Sequence, residues 1–409
     1  MTTTINNEHK KPNVPNLRSP EFQGEWKEER LADIADLYKG TGISKDQLSD
    51  DGEPCILYGE LYTKYKSETI REVISKTNID NTKLVRSKAN DVIIPCSGET
   101  AEDIATARCV LNGNILLGGD LNIIRLHGYD GTFMSYQLNG RRKYDIAKVA
   151  QGVSVVHLYG EHLKGVKTIN PCLEEQKKIA KLLSLLDERI ATQNKIIDKL
   201  QSLIKGLNDF LYTQYGGEVL TSFAELGTSY SGLSGKSAQD FGSGKPFITY
   251  LNVYSNNVIK ENDFQYVAIK DDEKQNVVKY GDVLFTLSSE TPEEVGVGSV
   301  YLGKEKVYLN SFCFGIHITN TEVAFPPYLS YYVSLTAFRK FIYPYAQGST
   351  RFNLCKADFE KASIKLPTLE NQKLIYSILG HIDCKIETER QLLALYNSQK
   401  QYLLRQMFI

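Results

Sequence analysis

The sequence has no excess charge of either sign and no long apolar run. Its 48 lysine and arginine residues balance 49 aspartate and glutamate residues, for a formal net charge of −1, which excludes a protein that holds nucleic acid by bulk charge alone. No apolar stretch reaches the roughly 18 residues of a membrane-spanning helix. The first residues also lack the apolar core of a secretory signal. We therefore expect a soluble, cytoplasmic protein.

Clustered metal ligands and cysteine pairs are missing as well. The seven cysteines are scattered, and no two of them form a CxxC pair, so neither a disulfide framework nor a structural zinc site is expected. The six histidines include no HExxH motif, and no metal site is predicted.

Motifs of catalytic and nucleotide-binding sites are equally scarce. Gly235-Lys236-Ser237 resembles the end of a phosphate-binding P-loop, but Tyr230 stands where that motif needs its first glycine. The sequence contains no GxSxG nucleophile elbow. It therefore predicts a chain without a catalytic site or a cofactor of its own.

An internal duplication is the main feature that the sequence does contain. Residues 171–190 read PCLEEQKKIAKLLSLLDERI and residues 367–386 read PTLENQKLIYSILGHIDCKI, an offset of 196 residues that also aligns Ala150-Gln151-Gly152 with Ala346-Gln347-Gly348. Further upstream the offset is 191, and Ser97-Gly98-Glu99-Thr100 aligns with Ser288-Ser289-Glu290-Thr291. We conclude that one unit, a mixed domain followed by a long helix, occurs twice.

Each copy ends in a long amphipathic helix whose apolar residues recur at intervals of three and four. A helix of about 40 residues is about 60 Å long, and one with an apolar stripe must find a partner. The other copy is the nearest candidate, and the chain connectivity favours an antiparallel coiled coil; the alternative is that each helix packs on its own domain. The predicted seam consists of Ile179, Leu183, Leu186, Ile190, Gln193, Ile197, Leu200, Ile204, Leu207 and Leu211 in the first helix and Ile375, Leu379, Ile382, Ile386, Glu389, Leu393, Tyr396, Leu403 and Met407 in the second. Lys400 interrupts the second stripe at the position of Ile204.

The predicted fold class is mixed α/β (α+β). Two similar globular domains are separated by two long antiparallel coiled-coil helices, in a pseudo-two-fold duplication. Short β-branched or aromatic runs at 91–94, 283–285 and 312–318 predict strands. The predicted boundaries are a polar N-terminal tail over 1–20, a first domain over 21–170, a first helix over 171–216, a second domain over 217–366 and a second helix over 367–409.

The two helix openings resemble those of a known family. The Pro-x-Leu-Glu-x-Gln-Lys pattern at Pro171 and at Pro367, each leading a long helix after a globular domain, is similar to the specificity (S) subunit of type I restriction–modification systems. The segment Pro15-Asn16-Leu17-Arg18-Ser19-Pro20-Glu21-Phe22, followed by Gly24-Glu25-Trp26, resembles the entry segment of such subunits. The resemblance covers essentially the whole chain.

The resemblance implies a division of labour. Each globular domain would be a target-recognition domain that reads one half of a bipartite, asymmetric sequence in double-stranded DNA. The paired helices would set the spacing and dock two modification (methyltransferase) subunits. The chain itself would not be an enzyme: S-adenosylmethionine, ATP and Mg²⁺ would be bound by the partners, namely adenine-N6-methylating modification subunits and ATP-dependent restriction (endonuclease) subunits.

The resemblance supplies no DNA-contacting residue, so we choose candidates by chemistry. They are polar and basic side chains beside glycine turns that could reach phosphates or base edges; for any one of them the alternative is an ordinary solvated surface role. In the first domain they are Thr41, Ser44, Lys45, Lys64, Lys66, Ser97, Thr100, Arg141, Arg142, Lys143 and Gln151. In the second they are Ser229, Ser231, Lys236, Lys245, Ser288, Thr291, Gln347, Ser349, Thr350, Arg351 and Asn353, with the run from Gln347 to Arg351 favoured most.

Two other functions remain open from the sequence. One is a non-DNA interaction scaffold whose two domains bind peptides or glycans across the coiled coil. The other is an enzyme that uses the repeated Ser-x-Glu-Thr segment, with Glu99 or Glu290 as the acidic group.

Overall fold

A computed structural model describes residues 12–80, 83–152 and 155–409. Residues 1–11 of the predicted N-terminal tail lie outside the described residues, as do residues 153 and 154. The described residues divide into two units: those up to Asn194 together with Gln391–Ile409, and Lys195–Arg390. Within the described ranges, no helix combines the length and the apolar character needed to cross a lipid bilayer.

The first unit contains thirteen strands and the first of the two long helices. The strands are β1 (Lys27–Arg30), β2 (Ala35–Lys39), β3 (Leu48–Ser49), β4 (Glu53–Ile56), β5 (Thr69–Ile70), β6 (Ser75–Thr77), β7 (Asp91–Pro95), β8 (Ser97–Gly98), β9 (Arg108–Val110), β10 (Leu116–Leu117), β11 (Leu121–Leu126), β12 (Val156–His157) and β13 (Lys167–Asn170). The helices are α1 (Leu31–Ile34), α2 (Glu60–Thr63), α3 (Ala101–Ile104), α4 (Gly131–Asn139), α5 (Lys143–Val149), α6 (Gly160–Lys164) and the first long helix, α7 (Leu173–Tyr215), which continues into the second unit.

The second unit repeats this arrangement with shorter sheets. Its strands are β14 (Val219–Thr221), β15 (Gly227–Ser231), β16 (Phe241–Ile248), β17 (Gln265–Val267), β18 (Val283–Thr286), β19 (Ser288–Ser289), β20 (Gly298–Val300), β21 (Tyr308–Leu309), β22 (Cys313–Ile318), β23 (Ala346–Gln347), β24 (Phe352–Leu354) and β25 (Ile364–Leu366). Its helices are α8 (Phe223–Leu226), α9 (Tyr250–Ser255), α10 (Pro326–Tyr332), α11 (Thr336–Ile342), α12 (Lys356–Lys361) and the second long helix, α13 (Leu369–Met407), whose end belongs to the first unit.

The two globular domains share their sheet topology. The central sheet has the order β2-β11-β7-β9-β5 in the first domain and β15-β22-β18-β20 in the second. In each domain the first strand pairs antiparallel with the last, β1 with β13 and β14 with β25. The two ends of each domain therefore meet in one two-stranded sheet directly before a long helix. The predicted fold class is confirmed.

The same buried carboxylate begins the central strand of both domains. Asp91 accepts two hydrogen bonds from Arg125, at 3.0 and 2.7 Å, and Arg125 lies 4.9 Å from the ring centroid of Tyr38. In the second domain Asp282 accepts from Tyr230 at 2.7 Å, and its carboxylate lies 2.8 Å from His317 Nδ1. Burial raises the pKa of Asp282 above its usual value. The carboxylate thus occurs in both copies of the repeat, whereas its basic partner is Arg125 in the first copy and His317 in the second.

Each long helix contributes to both units. In the first unit Ile179 and Leu183, near the start of α7, share a core with Phe133 and with Met407 and Phe408, at the end of α13 and just beyond it. In the second unit Ile375 and Leu379, near the start of α13, share a core with Leu211, near the end of α7. The start of one helix therefore meets the end of the other in each unit, as an antiparallel pair requires. Each helix also packs on the domain before it, so the alternative of packing on its own domain describes part of the structure.

The predicted seam follows the buried side of both helices. Each of its nineteen residues is buried or half-buried, including the polar side chains of Gln193 (5% exposed) and Glu389 (7% exposed). The helices that carry the seam have 43 residues (α7) and 39 residues (α13). Glutamates 174 and 175 lie in the first turn of α7, where the helix dipole favours negative charge. Gly217, with φ +85°, follows its end.

A buried glutamine in the first turn joins each helix to its domain. The Gln372 side chain accepts from the Phe325 N–H at 2.8 Å and donates to the carbonyls of Val323 and Pro367 at 2.8 and 2.9 Å. In the first domain Gln176 accepts from the Asp130 N–H at 2.9 Å and donates to Pro171 at 2.8 Å. Since the Lys in the shared Gln-Lys opening is exposed at both places, the glutamine is the residue of this motif that fixes the helix to the domain.

The segment before the first domain is bound to the same unit. The Arg18 guanidinium forms two hydrogen bonds with Glu175, at 2.8 and 2.7 Å, and Glu175 raises the pKa of Arg18 above its usual value. The Leu17 N–H donates to the carbonyl of Gln406 at 2.9 Å. The described part of the predicted tail, residues 12–20, thus contacts both long helices.

Removing the Gln372 side chain should lower the free energy of unfolding of the second unit. Gln372→Ala leaves the part-buried Phe325 N–H and the carbonyls of Val323 and Pro367 without this partner, and an unsatisfied polar group costs about 1–3 kcal/mol when it is fully buried. We expect a lower urea midpoint of unfolding for the full chain. Lys373→Ala, at the adjacent exposed position, is the matched control, and equal midpoints for the two variants would contradict this role.

Candidate nucleic-acid interface

Three polar side chains lie opposite one another on a small sheet in each domain. In the first domain Ser97 pairs with His157, which forms a bridge with Gln151. In the second domain Ser288 pairs with Asn353, which pairs with Gln347. We call each set of three a polar rung. Directly opposite residues project from the same face of a sheet, so each rung aligns three hydrogen-bonding side chains. The histidine, asparagine and glutamines of the rungs are exposed, whereas Ser97 is half-buried and Ser288 is buried.

The rungs bring together candidates that are distant in sequence. Ser97, Gln151, Ser288, Gln347 and Asn353 were predicted as contacts, and the strand pairing places them in two equivalent sets. The Ser97 hydroxyl lies 3.3 Å from His157 Nδ1. The structure adds His157, which the sequence reasoning did not select. The sequence could have identified His157, because it precedes the predicted contact residue Asn353 by the repeat offset of 196 residues.

A glycine follows the glutamine of each rung, and in the second domain it begins the hairpin between β23 and β24. Gly152 (φ +125°) and Gly348 (φ +142°) have left-handed backbones, and a Cβ at either position would lie 2.1 Å from a carbonyl oxygen, that of Val155 or Arg351. A side chain at these positions would be both strained and in collision. The two glycines are therefore a shared backbone frame, and the side chains that follow them can differ.

The tip in the second domain carries the most strongly favoured candidates. Ser349, Thr350 and Arg351 are all exposed. The Arg351 guanidinium lies 5.7 Å from the ring centroid of Phe312, a side chain that is itself 55% exposed. Aromatic faces and arginine together are typical of surfaces that stack on bases and hold phosphates. In the first domain the corresponding residues 153 and 154 lie outside the described residues.

The segment after the first rung strand begins a short helix. Thr100 accepts from the Asp103 N–H at 3.0 Å and donates to the Asp103 carboxylate at 2.6 Å. The acidic pair that follows Thr100, Glu102 and Asp103, therefore belongs to the first turn of a helix. Glu99 and Glu290, the acidic groups of the enzyme alternative, are exposed. Among the described residues, no cluster of histidine, cysteine, aspartate and glutamate could hold a metal ion.

In the second domain an arginine binds the backbone of the corresponding segment, which follows Thr291. Arg339 donates to the carbonyls of Glu293, Val295 and Gly296 at 2.7, 2.7 and 2.6 Å, and burial lowers its pKa from the usual value. Thr291 is exposed just before the three carbonyls. Arg339 positions the loop and was not selected from the sequence, because its three acceptors are more than 40 residues away.

Several predicted candidates are already engaged within the fold. Lys64 binds Glu60 and Ser75 at 2.7 Å each, and Lys236 binds Glu273 and the Ala268 carbonyl. Ser44 caps a short 3-10 helix, and the Thr41 hydroxyl accepts from the Val85 N–H at 3.2 Å. Arg141 and Arg142 donate to backbone oxygens of residues 405, 408 and 409.

These engaged side chains rank below the rungs as contact candidates. The remaining candidates are distributed over other loops and strands. Lys45, Lys66, Gln151, Ser231, Lys245 and Thr291 are exposed, and Lys143 and Ser229 are half-buried. None of the individual assignments is tested by the geometry, and all of them stay predictions.

The sequence and the fold both match known proteins. A family model described as "Type I restriction modification DNA specificity domain" matches residues 23–202 and again residues 227–395. The chain is 26% identical over 439 residues to a putative type I restriction enzyme MjaX specificity subunit of Methanocaldococcus jannaschii, with 94% of this chain and 92% of the relative covered. It is 25% identical over 395 residues to the MjaVIII specificity subunit of the same organism, with 92% and 89% covered.

Two solved structures have the same fold. The type I restriction–modification S subunit from M. genitalium gives a TM-score of 0.57 at 15% identity, over 97% of this chain and 99% of that one. A chain from a structural study of complex assembly and conformational transition of the type I restriction–modification system gives 0.57 at 16% identity, over 96% and 99%.

The hairpin tip of the second domain generates a direct prediction. Arg351→Ala should weaken binding to cognate duplex DNA by about 5- to 100-fold, since loss of one arginine contact costs about 1–3 kcal/mol. The loss should disappear on a duplex whose second half-site is scrambled and persist on one whose first half-site is scrambled. Fluorescence anisotropy measures all three affinities. Arg189→Ala, an exposed arginine on the first long helix, is the control, and equal affinities for both variants would remove Arg351 as a contact.

Proposed function

The chain belongs to the type I restriction–modification DNA specificity family, and from this premise we propose that its two globular domains read the two halves of a bipartite, asymmetric sequence in double-stranded DNA. The observation that carries the proposal is the repeated polar rung on a shared backbone frame. Serine, histidine, asparagine and glutamine donate to and accept from base edges in the major groove. Two rungs on one chain provide two readers.

The asymmetry of the target follows from the side chains that differ between the rungs. His157 occupies the place of Asn353, and Val155 occupies the place of Arg351. An asparagine pairs best with adenine and an arginine with guanine or phosphate, so the two domains would prefer different half-sites. Each mismatched base pair in either half would cost about 1–3 kcal/mol.

The chain would act as the reader in an assembly whose chemistry lies in other subunits. In this proposal two modification subunits bind S-adenosylmethionine and methylate adenine at N6, and restriction subunits use ATP and Mg²⁺ for cleavage. The site of action would be the cytoplasm, where chromosomal and invading DNA meet these subunits. The family membership and the type I assembly named for the structural neighbour support this division.

A methylome comparison tests the DNA-reading role. Long-read sequencing of the source organism, with the gene intact and then deleted, should show the loss of one two-part methylated-adenine motif on deletion. Replacing residues 21–170 with the equivalent domain of another specificity subunit should change only one half of the motif. An unchanged methylome in cells with an active modification partner would reject this function and favour the non-DNA scaffold.

The long helices carry a second apolar stripe that could receive a modification subunit. Besides its buried seam, α7 exposes Ile196, Leu203 and Phe210 (37, 51 and 57% exposed) in the second unit. These residues are seven apart and so lie on one face of the helix. Large apolar side chains aligned on a solvated face are typical of a docking surface.

The stripe makes the docking proposal testable. Leu203→Ser with Phe210→Ser should reduce co-purification of the modification subunit at least tenfold, while the urea midpoint of the lone chain changes little because both side chains are exposed. Ser202→Ala with Thr213→Ala, on the exposed surface of the same helix, is the control pair. Full retention of the partner by the double serine variant would exclude this stripe as the docking surface.

A further inference from the structure

One buried ion cluster joins the first and second halves of the chain. Lys400 Nζ, on the second long helix, lies 2.7 Å from Glu68 Oε2 and 2.7 Å from Asp187 Oδ1. The Tyr136 hydroxyl donates to Asp187 at 2.6 Å, and Ser67 donates to the same oxygen at 3.1 Å. The three charged side chains are only 9–16% exposed. All of these residues belong to the first unit.

Among the residues that the structure describes, no such cluster occurs at the equivalent place in the second unit. The repeat offset of 196 places Ile204 at the position of Lys400 and Asp383 at that of Asp187. Ile204 packs against the apolar core of the second unit, and Tyr331 donates to Asp383. The cation has therefore been replaced by an apolar side chain.

The second carboxylate has been replaced as well. The Glu68 carbonyl accepts from the N–H of Cys109 at 2.8 Å, and the Asn257 carbonyl accepts from that of Val300 at 2.9 Å. Cys109 and Val300 occupy the same position beside the central strand of their domains. Asn257 is thus the counterpart of Glu68. Glutamate and lysine occur together in one unit, and asparagine and isoleucine occur together in the other.

The apolar seam alone does not distinguish correct from incorrect pairing. Ile179 and Leu183 have the counterparts Ile375 and Leu379, and Leu207 has the counterpart Leu403. The first half of one chain could therefore cover the first half of another copy with similar apolar contacts.

The ion cluster does discriminate. If two first halves paired, Ile204 would stand at the place of Lys400. The buried carboxylates of Glu68 and Asp187 would then share one cation, the Arg108 guanidinium, which interacts electrostatically with both. Removing one partner of a buried ion pair is strongly destabilising. If two second halves paired, Lys400 would stand beside the apolar core that holds Ile204, with Asp383 as its one carboxylate and neutral Asn257 in place of Glu68. Only the pairing of unlike halves gives Lys400 both carboxylates and gives Ile204 its apolar core, and the charge imbalance of the other pairings disfavours the wrong partner.

We propose that Glu68, Asp187 and Lys400 form a pairing lock, through which the first half of the chain accepts the second half and rejects the first half of another copy. The lock is an interaction surface whose partner is defined by a single buried ammonium group. It does not depend on the DNA-reading role proposed above.

The lock can be removed without changing the balance of buried charge, because Arg108 interacts electrostatically with Asp187 and remains in place. Glu68→Asn with Lys400→Ile gives the first unit the residues that already occur in the second. In urea unfolding of the intact chain, each single change should lower the midpoint more than the double change does. Glu68→Asn alone leaves Lys400 and Arg108 with one carboxylate, and Lys400→Ile alone leaves Glu68 and Asp187 with one cation. Additive effects of the two changes would overturn the proposal.

Partner choice is measured on chains cut between Gly216 and Gly217 after folding, at an inserted protease site. Two preparations with different tags on their first halves, one with isotope-labelled second halves, are mixed in urea and refolded. Wild-type first halves should recover labelled second halves and no first half with the other tag. With the double variant, co-recovery of the two tags should rise at least tenfold.

A surface ion pair supplies the matched control. Arg71 and Glu188 are both half-exposed and both lie in the first half, so Arg71→Gln with Glu188→Gln should leave partner choice as in the wild type. The proposal fails if the double variant at residues 68 and 400 remains as selective as the wild type while exchange of labelled second halves is observed. It also fails if wild-type first halves recover each other. Neither measurement involves DNA or methylation.

Discussion

The structure depends on one requirement: a long helix with an apolar stripe must be covered along its length. The chain meets it by closing the core of each unit with a helix segment from the other half of the sequence. Leu403, Met407 and Phe408 pack in the core around Phe133 in the first unit, and Leu207 and Leu211 pack in that of the second. Neither globular domain has a complete core from its own half alone. The stability of each domain therefore depends on the pairing of the two long helices.

The duplication keeps the supporting residues and varies the exposed ones. The closing strand pairs, the buried glutamines Gln176 and Gln372 and the hairpin glycines occur in both halves with the same hydrogen-bonding role. Exposed side chains differ at one rung position, where His157 stands in place of Asn353, and after the glycine, where Val155 stands in place of Arg351. A fixed frame with exchangeable side chains lets one fold serve two different half-sites, since backbone contacts position a protein on DNA and side chains specify the bases.

The sequence predicted the repeat and the long helices because both are local or periodic signals. It could not predict the sheet order, since most strands have only two to six residues and their pairing is decided by tertiary packing. His157 joins its rung through strand pairing, and Arg141 reaches oxygens more than 260 residues away. Lys400 was recognised only as an interruption of the seam. Its meaning depends on Glu68, which is 332 residues distant, and no local pattern connects the two.

The pairing of the halves also has a consequence for the order of synthesis. The ammonium group that neutralises Glu68 is added 332 residues after it. At roughly 5–20 residues per second, Glu68 waits about 17–66 s on the ribosome before Lys400 is added. During this time the carboxylates of the nascent first domain are uncovered. Neighbouring ribosomes on one messenger RNA hold other first halves in the same state. The first long helix of each of these has Ile204, and not a lysine, at the position equivalent to Lys400. The uncovered carboxylates thus protect the growing chain from its own copies until the correct helix emerges.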